Sequence, residues 1–234
     1  MPLSLSALAH WLDTGRPQEW WQARTDSARL APDPTITPEA VVQVYSARAF
    51  RWRGIFGVHT WMAIKARGAD GYTRLEVTGW GVGRGAPAVR IRPEAIPDGY
   101  WFGAFPELLV EHRGASAEQL IEQLLEAVEH YPHYWEYRIW PGPNSNTFVA
   151  YLGRMVPELG LDLPPTAIGK DYLGADTWLG RAPSGTGVQL SLGGYCGLLV
   201  AREEGVEINL LGLSAGVDFF NPALRLPGLG RIGG

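Results

Sequence analysis

Apolar residues recur at two different spacings along this chain, and the switches between them mark its elements. AVVQVYSARAF (40–50), GVHTWMAIKA (57–66) and TRLEVTGWGV (73–82) are rich in β-branched and aromatic residues with partial alternation, which predicts strands. RWRGIF between the first two reads as a turn or bulge, and DGY as the next turn. In the third strand Thr73, Leu75, Val77 and Gly79 point one way, and Arg74, Glu76, Thr78 and Trp80 the other. Residues 84–105 read as loops around one short strand, AVRIRP.

The spacing then becomes helical. In SAEQLIEQLLEAVEHY (116–131), Leu120, Ile121, Leu124, Leu125 and Val128 share one face, and Ser116 with Gln119 predicts a capping box. YWEYRIW (134–140) reads as a short aromatic strand and PGPNSN as a turn. TFVAYLGRMVPELGL reads as a second helix, with Phe148, Leu152, Met155 and Leu159 on one stripe. DLPPTAIGKDYLG is a loop. From 186 the pattern is strand-like again, with a hairpin centred on REEGVE, and NPALRLPGLGRIGG reads as a tail.

Strands, helix, strand, helix and strands predict an α+β fold with a mostly antiparallel sheet packed against two main helices. Residues 1–38 read as an N-terminal leader, with a short helix near 3–13 and an extended, proline-rich stretch. Residues 39–182 read as the core domain, and 183–234 as a β-rich segment that completes or covers it.

Composition narrows the function. A net charge of −4 and scattered arginines carry no nucleic-acid footprint. A single cysteine, Cys196, allows no intrachain disulfide and no cysteine-based zinc site, and its apolar surroundings predict a buried thiol. His112, His130 and His133 stand at no metal-ligand spacing, so neither a metal nor a cofactor is expected. GWGVGRG (79–85) lacks the Lys-Ser/Thr and the βαβ setting of a phosphate loop. No apolar run reaches the ~18 residues of a membrane span, and the N-terminus lacks a basic region before its short apolar stretch. The default location is cytoplasmic, with peripheral membrane association left open.

Three residues carry candidate chemistry. Ser145 falls where a turn becomes a helix. Unpaired backbone N–H groups there favour negative charge, so the position suits a nucleophile and an oxyanion. It equally suits a helix cap. His59 lies within the second strand and Glu76 within the third, so a hairpin would set them on neighbouring strands, where a carboxylate can orient an imidazole. Trp61, Trp80 and Trp140 are placed to wall a cleft.

VHTWMAIK, then LEVTGWG, then YRIWPGPNSNTF opening a helix resembles the circularly permuted papain-like enzymes, relatives of the NlpC-type peptidases and the lecithin:retinol acyltransferases. The likeness covers roughly residues 41–160. In that family a strand histidine comes first, a polar residue on the next strand second, and an Asn-Cys nucleophile at a helix start last. His59, Glu76 and Asn144-Ser145 stand in that order, with serine in place of cysteine. More narrowly, ARTDSARLAPDPTITPEAVVQVYSAR and GPNSNTF make the chain similar to a bacterial family, domain of unknown function 3750. Its members often carry a hydrophobic N-terminal segment that has no counterpart here.

The resemblance implies amide or ester hydrolysis by acyl transfer. Ser145 would attack, His59 would take the proton and Glu76 would orient the ring. Backbone N–H groups near Ser145–Asn146, assisted by the Asn144 or Asn146 side chains, would hold the oxyanion. A serine hydroxyl is far less acidic than a thiol and depends more on its base. The alternative is a catalytically inactive module of the same fold that holds a peptide, glycan or lipid in an aromatic cleft, with Ser145 as a cap.

Overall fold

A computed structural model describes residues 2–14 and 19–233 of the chain. Met1, residues 15–18 of the expected leader and Gly234 lie outside the described residues. The chain is α+β, with two antiparallel sheets and, among the described residues, three α-helices.

The first sheet contains β1 (Val41–Arg48), β2 (Val58–Lys65), β3 (Thr73–Val77), β4 (Val89–Arg92) and β5 (Glu107–Arg113), in the order β4-β3-β2-β1-β5. One face packs Val42, Val44, Met62, Ile64, Leu75 and Val77 against α2 (Ala115–Glu129) and α3 (Ser145–Met155). The other buries Val41, Tyr45, Trp61 and Ala63 beneath Leu30, Ala31, Trp101 and Ala104. β1 is therefore buried on both sides over nearly its whole length. That explains its weak alternation, since a strand covered twice has no polar side to display.

Several expectations are corrected. The α2 capping box at Ser116 does not form. The helix starts at Ala115, directly after Gly114, whose φ of 68° turns the chain sharply out of β5, and the Ser116 hydroxyl donates back to Arg113 O at 3.1 Å. Residues 134–140 form turns and irregular backbone in place of the expected strand. Tyr134 O accepts from both Ala88 and Val89, and Arg138 N–H donates to Pro143 O, so these groups are satisfied without a ladder. Met155 is exposed and leaves the α3 stripe.

The expected tail is also ordered. β6 (Leu179–Arg181), β7 (Gly187–Leu192), β8 (Cys196–Ala201), β9 (Gly205–Leu210), β10 (Leu213–Asp218), β11 (Ala223–Leu226) and β12 (Gly230–Gly233) form an antiparallel meander. The β8–β9 turn is the expected REEGVE hairpin. This sheet is separate from the first and does not extend it. Its inner face meets the 162–171 loop through buried ion pairs, Lys170–Glu207 at 2.6 Å and Arg225–Asp162 at 2.7 Å.

α1 (Pro2–Thr14) is anchored by the Ser6 hydroxyl, which lies within hydrogen-bond distance of Ile55 O and Gly228 O. No described helix is long and apolar enough to cross a membrane.

Candidate active site

Antiparallel register places the site. Residues directly opposite share a face, so Tyr45, Trp61, Ala47 and His59 lie together on the side away from the helices. Arg74 pairs with Ala63 and with Arg92, and Glu76 with Arg90, which sets all four on that same side. His59 and Glu76 are therefore diagonal neighbours on adjacent strands, within reach of each other's side chains. His59 Nε2 lies 3.2 Å from Glu76 Oε2, and both residues are buried. Arg74 donates to the same oxygen at 3.0 Å, and Arg92 approaches Oε1 at 3.3 Å.

Burial works against the Glu76 charge, but the His59 hydrogen bond and the two guanidinium charges outweigh it and bring the carboxyl down to about 2. Burial dominates at His59 and lowers its pKa; Glu76 only partly offsets this, while Arg74 and Arg92 add to the lowering. The ring is thus neutral at pH 7. Its Nε2–H donates to Glu76, and Nδ1 makes no hydrogen bond among the described residues.

Both shifts carry the same sign. Each group binds its proton more weakly in the folded state, so its stabilisation is present above its ordinary pKa and is lost as pH falls. Acid sensitivity is expected to begin below about 6.5 through His59 and to deepen from about 4.5 toward 2 as Glu76 is protonated. Urea unfolding between pH 7 and pH 3 checks this, and a flat stability profile would contradict it.

The start of α3 is fixed from the opposite face of β2. Thr60 donates to Asn146 Oδ1 at 2.9 Å and reaches Ser145 O at 3.3 Å, while Asn146 Nδ2 donates to Val58 O and Ile168 O. The helix cap is Asn144, not Ser145. Asn144 Oδ1 accepts from the N–H groups of Asn146 and Thr147, and the Thr147 hydroxyl accepts from Asn144 N–H, which completes a capping box. Asn144 Nδ2 donates to Ile139 O and Ile168 O.

Ser145 is left as the first helical residue, buried to 6% exposure, and neither its hydroxyl nor its N–H makes a hydrogen bond among the described residues. The side-chain amides of Asn144 and Asn146 are engaged in holding the start of the helix, and neither amide N–H2 is left unbonded toward the cleft. Asn144→Ala should cost about 2–4 kcal/mol, combining a lost cap with two abandoned carbonyls. Chemical denaturation checks this, and a loss within a few tenths would contradict it.

Ser145 and His59 line one cleft of about 1520 Å³, together with Trp80, Trp140, Tyr137, Phe56 and Ile168, but they reach it from opposite faces of β2 and share no hydrogen bond. Trp20, Trp21 and Trp52 stand at it with more than half their surface exposed. Trp80 and Trp140 thus take their expected places, but Trp61 does not. It is fully buried, stacked on Tyr45, with its Nε1–H donating to Pro97 O at 2.7 Å.

The tryptophan that the pattern did not single out is Trp101. Its ring lies flat on the His59 imidazole, 3.6 Å between centroids and 9° from parallel, with Trp80 stacked beyond it. The sequence signal was a Tyr-Trp-Phe run inside the glycine-flanked loop 99–103.

The other candidates settle elsewhere. Cys196 is half-buried at the start of β8 and does not line the cleft, so it is not the buried thiol its neighbours suggested. His112 pairs with Leu159 O and His130 with Glu126 O, and His133 sits 3.7 Å from Glu136. Among the described residues no three metal-binding side chains cluster. In the glycine loop, Gly81 and Gly85 bracket a short 3-10 turn with left-handed φ values of 79° and 83°.

Residues 39–172 match the family model described as protein of unknown function DUF3750. The chain belongs to this family. The match ends just past the loop that supplies Ile168 and Gly169, so it holds β1 to β5, α2, α3 and the His59, Glu76 and Ser145 constellation, but not the seven-stranded sheet. No curated protein and no solved structure gives a match.

Proposed function

We propose that this DUF3750 protein is an acyl-transfer enzyme, an amide or ester hydrolase with a Ser145/His59/Glu76 site on a permuted papain-like fold. The observation that carries the reading is the buried His59–Glu76 pair at the wall of a cleft that also holds a serine released from capping. A carboxylate held ionised on Nε2–H sets the tautomer that leaves the acceptor lone pair on Nδ1, while burial keeps the imidazole neutral. Trp101 stacking fixes the plane of the ring.

In the acylation step the Ser145 oxygen bonds to the substrate carbonyl carbon and its proton reaches His59 Nδ1 once substrate binding has closed the gap between the two side chains, which share no hydrogen bond as the chain stands. The carbonyl oxygen becomes the oxyanion, with the Ser145 N–H as a nearby unpaired donor. Collapse breaks the bond to the leaving group, which takes the proton back from His59, and water repeats the sequence to release the acid. Glu76 holds charge throughout and transfers no proton. The strand histidine, next-strand carboxylate and helix-start nucleophile follow the chain order of the permuted papain-like enzymes.

Turnover of chromogenic acyl esters and amides tests this. The protein should hydrolyse at least one acyl class, with an acid limb below pH 6.5 set by the lowered His59, and His59→Ala should abolish it. Hydrolysis that His59→Ala leaves intact would overturn the assignment. An aromatic cleft that binds acyl compounds without turning any over would favour the inactive binding module instead.

A further inference from the structure

We infer that the outer face of the seven-stranded sheet is the surface on which two copies of this chain pack face to face. The sheet is built inside out. Cross-strand register puts Leu190, Leu198 and Ile208 in one row, and Val200 and Val217 with Leu224 in the next, all on the side away from the molecule. These are the exposed positions of their strands, and Ile208 leaves 62% of its surface uncovered.

The alternate positions, which face inward, are buried and mostly polar, with Gln189, Glu207, Asn209 and Arg225 beside a small apolar cluster of Leu199, Ala201 and Ala182. Glu207 and Arg225 are tied by ion pairs to Lys170 and Asp162, Asn209 donates to Gly194 O, and Gln189 donates to Asp171 O. A one-residue slip would expose the aliphatic set to these partners and strand the charges, so the orientation is fixed.

Seven strands at ~4.8 Å spacing, each about five residues at ~3.4 Å, give a plan area of roughly 500 Å². Side-chain relief and the exposed rim of Trp178, Phe219 and Phe220 raise the accessible surface toward the ~800 Å² per partner of a standard interface. That exceeds what an unpartnered surface usually leaves in water.

Several observations select a second copy over a lipid surface. The face is aliphatic and nearly uncharged, with Arg181 at its edge. An identical sheet laid on it at ~10 Å forms a β-sandwich core, and a two-fold axis closes the contact. The net charge is −4 and the face carries Arg181 alone at its edge, so it lacks the basic cluster that draws a surface to anionic headgroups. The strands reach at most six residues, short of the ~9–11 of a membrane-spanning strand.

Analytical ultracentrifugation across the micromolar range should give twice the 25.6 kDa of the chain. Leu198→Glu with Ile208→Glu should halve the mass at unchanged circular dichroism. Cys196 opposes Leu192 and Leu210 on the same face, so it reports independently in the unaltered protein. Its reaction with a thiol reagent should quicken at least about tenfold on dilution through the dissociation range, as mass action requires.

A monomer at every concentration would overturn the inference, as would a thiol rate indifferent to dilution or a dimer that survives the glutamates. A monomer that instead sediments with phosphatidylcholine vesicles would assign the face to lipid. None of these readouts depends on hydrolysis, so the dimer and the proposed activity stand or fall separately.

Discussion

Ser145→Ala is expected to lower acyl hydrolysis by about 10³-fold or more while leaving the fold intact. The loss should fall on kcat, because the hydroxyl acts on the reacting carbonyl and not on the bulk of the substrate. The second half of the expectation follows from the cap. Asn144 and Thr147 close the helix start without Ser145, and the serine hydroxyl bonds to nothing among the described residues. Its removal should therefore change stability by no more than about 0.5 kcal/mol. Had Ser145 been the cap, the same change would cost about 1 kcal/mol and leave any turnover untouched. Kinetics and urea unfolding on one preparation separate the two, and full activity with reduced stability would reverse the roles.

Glu76→Ala should produce the largest stability loss of any change in the site, about 3–5 kcal/mol, because it abandons buried Arg74 beside Trp61. Exposed Arg92 contributes little to that figure, since water can solvate it. Glu76→Gln keeps the shape but removes the charge, and so tests orientation more cleanly. It should fold, lose the acid-dependent part of stability that Glu76 supplies, and lower turnover by about 10²–10⁴-fold by releasing the imidazole from its tautomer. A Gln variant with full turnover would leave Glu76 as a counter-ion for Arg74 and nothing more.

The constellation itself was legible in the sequence. Two consecutive strands joined by a short connection at 66–72 allow His59 and Glu76 to be neighbours in a hairpin, and NSN before an apolar helix points to a capped start. Which of the two, Asn144 or Ser145, performs the capping was not legible, because both residue types cap well and one position decides it. Trp61 and Trp101 exchange their expected prominence for a similar reason. Alternation puts Trp61 on the right face, but only the packing of loop 97–104 over that face shows that it is sealed in and that Trp101 lies on the histidine.

β5 was missed because Glu107–Arg113 is a half-exposed edge strand, whose polar ends dilute the pattern. In the last sheet the alternation of VQLSL was plain, yet alternation fixes two faces without saying which meets water. The inward choice of the polar face depends on Lys170, Asp162 and Arg225 finding one another across distant segments, which no local pattern reveals.

The most direct test is covalent. The protein is incubated with a fluorophosphonate, digested, and the modified peptide located by mass spectrometry. An adduct on Ser145 that disappears in His59→Ala is the expected result, since only an activated serine displaces the fluoride. No adduct under conditions that label a control serine hydrolase, or an adduct elsewhere with Ser145 unmodified, would contradict the assignment of Ser145 as a nucleophile.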